Sequence, residues 1–284
     1  MGGGFYSSVD YSTRAVKAGY GTKSTHEVFT QKTINSSMNP FGVKVRESRD
    51  SEEHPNSLAI ILALDVTGSM GSIPHNLIAN GLPTIMDGII KDGGIKDPQV
   101  LFLGIGDHEC DTFPLQTGQF ESSDKLLEKW LKDLYLEGGG GGNGGESYLL
   151  AWYFASKHTS IDCFEKRSQK GFLFTIGDEP VLKSIPKETI KGIMGGQEYS
   201  KLSANELLEE ARKTYNVYHI HVKSTASGSR EYVAQGWKEL MGDYLLTVDR
   251  HEEISSLIAN TVNKNVNVKT STITNNNEGT TVIL

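Results

Sequence analysis

The sequence predicts an α/β fold: an open, mainly parallel sheet with helices on both faces and one short antiparallel edge strand. Three observations carry that prediction. Uniformly apolar runs, Leu58-Ala59-Ile60-Ile61-Leu62-Ala63-Leu64 above all, read as strands buried on both faces. Segments with apolar residues at helical spacing separate those runs, the alternation that produces crossover connections between parallel strands. Acids, hydroxyls and glycines gather where the runs stop, at the edge where open α/β sheets bind their ligands.

Residues 1–56 are polar, rich in Ser, Thr and Gly, and lack a period. They include Asn39-Pro40-Phe41-Gly42 and the charged stretch from Arg46 to Glu53, and predict an extension that is partly flexible or wraps the domain. The domain itself spans 57–262. After the first strand, residues 73–90 carry Leu77, Ile78, Leu82, Ile85, Met86 and Ile89 at helical spacing. Pro74 suits a first turn there, whereas Pro83 predicts a kink or a break. Residues 100–105 form the second strand, and 113–120 return beside it as the edge strand. Ser122 or Ser123 caps a helix holding Leu126, Leu127, Trp130, Leu131 and Leu134. A glycine tract precedes a helix opening at 148–154, and 171–176 is the next buried strand. A helix over 202–215, entered from Ser203 or Asn205, leads to a strand at 217–222. A helix at 231–241, a strand at 244–248 and a helix at 252–262 complete a Rossmann-like alternation. In the polar tail, 263–284, the alternation of Val266, Val268, Thr270 and Thr272 fits a hairpin, and the composition fits a disordered end.

The formal charge of −7 and the absence of a dense Lys/Arg cluster exclude general affinity for nucleic acid or acidic membranes. No apolar run approaches the length of a bilayer span, and no leader-like segment opens the sequence. Cys110 and Cys163 are far apart and not in metal-type spacing, as expected of reduced thiols in a cytoplasmic protein.

The first strand breaks into Asp65-Val66-Thr67-Gly68-Ser69. A carboxylate and two hydroxyls at alternate positions make a hard oxygen site suited to Mg²⁺, and the same residue types also serve as caps and turns. Asp178 follows the strand Phe172-Leu-Phe-Thr-Ile-Gly and has the same two readings. Gly138 to Gly145, interrupted by Asn143 and followed by Glu146-Ser147-Tyr148, reads as a flexible connector or as a backbone-amide anion nest. A phosphate loop is excluded, because no Gly-Lys-Ser/Thr closes the tract. The donor cluster Asp107-His108-Glu109-Cys110-Asp111 favours surface turn chemistry over a transition-metal site. His219 and His221 share one face of a strand and favour a packing role.

Taken in order, strand-Asp65-x-Thr67-x-Ser69, glycine loop and strand-Asp178 resemble the metal-ion-dependent adhesion site of von Willebrand factor A domains, over about residues 56–262. That family usually has Asp-x-Ser-x-Ser; Thr67 keeps the hydroxyl. The resemblance implies the von Willebrand A (vWA) fold and a Mg²⁺ site, with Mn²⁺ or Ca²⁺ as alternatives. Its ligands would be Asp65, Thr67, Ser69, Asn143 and, directly or through water, Asp178. Asn143 stands where the family usually has Thr after two glycines, and Glu146 is an alternative anionic ligand. Asp107, His108 and Glu146 would contact the ion or the partner. Arg46-Glu-Ser-Arg-Asp-Ser and Gly-Gly-Asn143-Gly-Gly-Glu-Ser-Tyr-Leu-Leu-Ala-Trp resemble a subgroup of intracellular bacterial and phage proteins of the family. The implied function is a non-enzymatic binding or scaffold module, its ion engaging an acidic residue of a partner. That partner would be another protein, such as an AAA+ ATPase, or a second copy of the chain. Two other readings remain open: a self-assembling structural protein with a vestigial or intersubunit site, and a metal-dependent hydrolase. In the hydrolase, His108 or Glu146 would handle a proton; against it, Thr67 stands where phosphoaspartate-forming hydrolases show a second Asp.

Overall fold

The computed structural model describes residues 4–138, 144–196 and 200–277, with side chains except those of Ser69 and residues 267–277. Six strands form the central sheet: β1 (Leu58–Asp65), β2 (Pro98–Ile105), β3 (Leu115–Thr117), β4 (Gly171–Gly177), β5 (Tyr215–Val222) and β6 (Leu245–Val248). Their order is β6-β5-β4-β1-β2-β3, parallel throughout except for β3, which runs antiparallel to β2. This is the predicted fold class. All residues of β1, β2 and β4 are buried, which is why those segments read as unbroken apolar runs. Strand order reverses direction between β1 and β4, so the crevice beyond Asp65 and Gly177 is the topological switch point of the sheet.

Helices α1 (Ser8–Ala18), α2 (72–92), α3 (Asp124–Lys132), α4 (Leu149–Lys157), α5 (Lys187–Met194), α6 (Ala204–Thr214), α7 (Glu231–Met241) and α8 (Ile254–Asn277) surround it. Successive residues of β5 identify the two faces, because neighbouring strand side chains point in opposite directions. His219 stacks on Trp237 of α7, with ring centroids 3.4 Å apart, while Tyr218 on the other face hydrogen-bonds Asn265 of α8. Trp152 of α4 meets Trp237 edge to face, placing α4 with α7.

Pro83 breaks nothing. Two π-helical turns, Leu77–Gly81 and Gly88–Asp92, keep α2 continuous. In the first, Leu82 N–H donates to Leu77 O, five residues back. The next donor in that register would be Pro83, which has no N–H, so Ile78 O is left to accept elsewhere. The hydroxyl of Tyr11 donates to it at 2.5 Å. Tyr11 belongs to α1, inside the 1–56 extension, and is fully buried; Val28 and Met38 of the same extension are also in the core. Farther along, Arg46–Ser48 pairs in parallel with Thr159–Ile161.

The chain end corrects one expectation. Lys264 to Asn277 continue α8 and do not form a strand of a hairpin. Ile254, Ile258 and Val262 are buried at a spacing of four, and Val266 packs on the same core. That tertiary stripe overrides the β-branched alternation which had suggested a strand.

Candidate functional site at the switch point

Asp65 ends β1 and Asp178 follows β4; both are fully buried. Asp65 Oδ1 accepts the Thr67 N–H at 3.0 Å and the Thr67 hydroxyl at 2.6 Å. Its Oδ2 accepts the Tyr148 hydroxyl at 2.7 Å. Tyr148 lies against Gly177, where a Cβ would collide with the phenol, so the glycine makes this bond sterically accessible. His219 and Trp237 pack edge-on to the same ring.

The residues that follow the glycine loop, Glu146 and Ser147, reach the site. Glu146 N–H donates to Pro180 O and Glu146 O accepts from Leu182 N–H, which fixes this loop to the one after Asp178. Ser147 N–H donates to Gly106 O, and Ser147 Oγ accepts the His108 N–H at 2.8 Å and stands 2.7 Å from His108 Nδ1. Three loops are thereby tied together at one end of the sheet. Asp107 Oδ1 accepts the Glu109 N–H, and Asp111 Oδ2 accepts the Asp107 N–H.

The resulting charge density is unbalanced. Burial, with the nearby Asp178 charge, pushes the Asp65 carboxyl up to about 7, against the hydrogen bonds from Thr67 and Tyr148. Burial pushes Glu146 further, to about 10, helped by the charges of Asp65, Asp111, Asp107 and Glu179. Glu146 Oε2 and Asp107 Oδ2 are buried and accept no hydrogen bond. A doubly charged cation coordinated by oxygens would relieve both defects, so the donor chemistry fits a hard divalent ion. Among the described residues, no three His, Cys, Asp or Glu side chains form a group able to hold a metal by themselves. The expected ligand set differs in kind, taking only two acids and drawing its other donors from hydroxyl and amide oxygens.

Of the expected ligands, Asp65, Thr67 and Asp178 come together. Ser69 occupies the 3₁₀ turn Gly68–Met70, its side chain outside the described set, and Asn143 lies outside the described residues altogether. Glu146 is brought into Coulombic contact with Asp65, while His108 is turned toward Ser147. Burial holds the His108 imidazole below its usual value. His219 and His221 are fully buried, one stacked on Trp237 and the other bonded to Gly228 O, a packing arrangement. Cys110 and Cys163 form no disulfide. Sequence reasoning missed Tyr148 and Ser147; the glycine at 177, facing the phenol, was the one sequence signal available for the former.

The sequence matches no protein-family model and no curated relative. Among solved structures it is similar to the pilus adhesin SpaC from Lactobacillus rhamnosus GG in its open conformation (TM-score 0.49, 11% identity, 76% of this chain and 31% of that one). The chain thus spans about a third of SpaC. It is also similar to the vWF domain of the type V pili tip protein Mfa5 from Porphyromonas gingivalis (TM-score 0.47, 9% identity, 80% of this chain and 97% of that one). A third neighbour is proximal thread matrix protein 1 from the mussel byssus (TM-score 0.41, 11% identity, 72% and 47%). Among the described residues, no helix is long and apolar enough to cross a membrane.

Proposed function

We propose that this chain is a non-enzymatic protein-binding module that uses a divalent cation at the switch point to engage an acidic residue of a partner. The observation that supports it is the meeting of Asp65 with Thr67 and Asp178 at the switch point, all buried, so that the Asp65 carboxyl is raised by burial and by the Asp178 charge. Asp65, Thr67, Ser69, Asn143 and Asp178 would hold the ion, with Glu146 as the alternative to Asn143. Mg²⁺ suits that all-oxygen set, with Mn²⁺ or Ca²⁺ as substitutes. When bound, the ion would supply an open coordination position for a partner carboxylate. The chain's own residues do the rest. Thr67 and Tyr148 orient the Asp65 carboxylate, and the Glu146–Pro180 and Ser147–His108 contacts hold the surrounding loops.

Affinity capture with the full chain, with and without a chelator, tests this reading when wild type is compared with Asp65→Ala. A partner retained only by wild type and only with Mg²⁺, and lost when one of its Asp or Glu residues is neutralised, is the expected result. Chelator-insensitive retention by both proteins contradicts it.

A further inference from the structure

We infer that α1 is a self-recognition surface, through which two copies of the chain pair antiparallel about a two-fold axis. The inference does not depend on the ion site.

One face of α1 packs on its own domain. Tyr11 and Ala15 are buried there, and the Tyr11 hydroxyl donates to Ile78 O. Arg14 reaches Asp124 at 2.6 Å and Glu128 at 2.8 Å, both on α3. The helix is closed at each end, by Ser7 accepting the Asp10 N–H and by the left-handed Gly19. α1 is therefore fixed on the surface, with its opposite face turned to solvent.

That outer face is apolar along its centre line. Val9 is 75% exposed and Val16 is 82% exposed, and a separation of about two helical turns sets them in one row. Thr13 stands between them, its hydroxyl donating to Val9 O at 2.9 Å. A lone exposed valine is ordinary on a surface, whereas two in register on one helix face form a seam. Valine is also a poor helix former, so neither local propensity nor packing within one chain accounts for the row.

Charge sets the orientation. Asp10 and Lys17 each follow one of these valines, so both border the row on the same side. Among the described residues, neither has an ion-pair partner. A two-fold axis perpendicular to a pair of antiparallel helices brings the same flank of each together with its order reversed. Asp10 of each copy then faces Lys17 of the other, and Val9 lies beside Val16 of the other. A parallel pair would set the charged flank against the side that carries Ser12, leaving both charges unmatched. An acid near the start and a base near the end also suit the helix dipole, a role that affects helix stability and not association. One helix of 11 residues from each copy covers less area than a permanent dimer needs, so the pairing is weak and depends on concentration.

Sedimentation velocity of the full chain in chelator, from about 10 µM to about 1 mM, reads this association directly. The expected mass rises from one chain toward two across that range. Lys17→Glu and Asp10→Lys should each stay at one chain, because each sets like charges opposite one another in a self-pair. Mixed in equal amounts, these two variants should associate again, since the acids of one meet the bases of the other. Val16→Ser should weaken self-association about tenfold with all charges intact. The substituted side chains are all exposed, and circular dichroism of each variant should match wild type. A wild-type chain that stays at one copy at the highest concentration overturns the inference and assigns the face to a different partner. A mixture that does not associate, or Lys17→Glu or Val16→Ser pairing as strongly as wild type, overturns it equally.

Discussion

Asp65 has both carboxylate oxygens engaged, Oδ1 by Thr67 and Oδ2 by Tyr148, and is nevertheless pushed toward its neutral form by burial and by Asp178. Glu146 is under the same pressure without a hydrogen bond to its Oε2. Neutralising either acid in the metal-free chain should therefore stabilise it, by about 1 kcal/mol for Asp65→Asn or Glu146→Gln. Thermal melts in chelator check this; a fall in melting temperature for both variants would show that the acids do not repel. At Gly177 the expected effect is opposite. Gly177→Ala drives a methyl into the Tyr148 phenol and should destabilise the chain while weakening Mg²⁺ binding, whereas Tyr148→Phe should weaken Mg²⁺ binding with little strain. The acids at the strand ends were legible in the sequence because strand ends at a switch point announce themselves. Tyr148 was not, since nothing local to a helix start records which carboxylate its side chain will meet.

At the scale of elements, β1, β2 and β4 were the most legible, being buried from end to end. The helix over 72–92 was legible in its apolar spacing but not in its continuity. Its π turn works only because Tyr11, 67 residues upstream of Ile78, supplies the donor that Pro83 lacks. Tyr11→Phe should cost about 1–2 kcal/mol, the penalty of a buried carbonyl left unpaired, measurable by denaturant unfolding. A null effect would mean that Ile78 O finds another donor. The short helix Asp162–Glu165 supplies a pH-dependent element. Burial opposes the charge of Asp162, but Lys166, the Asp50 N–H and Arg49 outweigh it and hold the carboxyl at about 2, below its ordinary 3.8. A folded-state value below the unfolded one stabilises the fold fully above pH 4, and that contribution is lost as pH falls through about 2. It is worth about 2 kcal/mol. Denaturant titrations at pH 5 and pH 2 should show a smaller acid loss in Asp162→Asn than in wild type; equal losses contradict this account.

Across the whole molecule, residues 4–56 behave as part of the domain. Tyr11, Tyr20, Val28, Phe29 and Met38 all enter the core, and Arg49 links the extension to Asp162 and Glu165. Polar composition concealed this, because the few apolar residues that anchor the segment are scattered without a period. Deleting residues 1–56 should lower stability on the order of 5 kcal/mol, from the apolar side chains uncovered. At the other end, the i, i+4 stripe of α8 runs on to Val266, and only packing shows that the helical period prevails there over the β-branched alternation. The proposed ion site would be a property of the whole sheet, since its acids, Asp65 and Asp178, arrive from strands more than a hundred residues apart. Calorimetric titration of Mg²⁺ into the full chain and into Asp65→Ala tests the central claim most directly. One saturable Mg²⁺ site in wild type, absent from an Asp65→Ala protein of unchanged circular dichroism, is the predicted result. Identical Mg²⁺ heats in both proteins, or none in wild type, would contradict it.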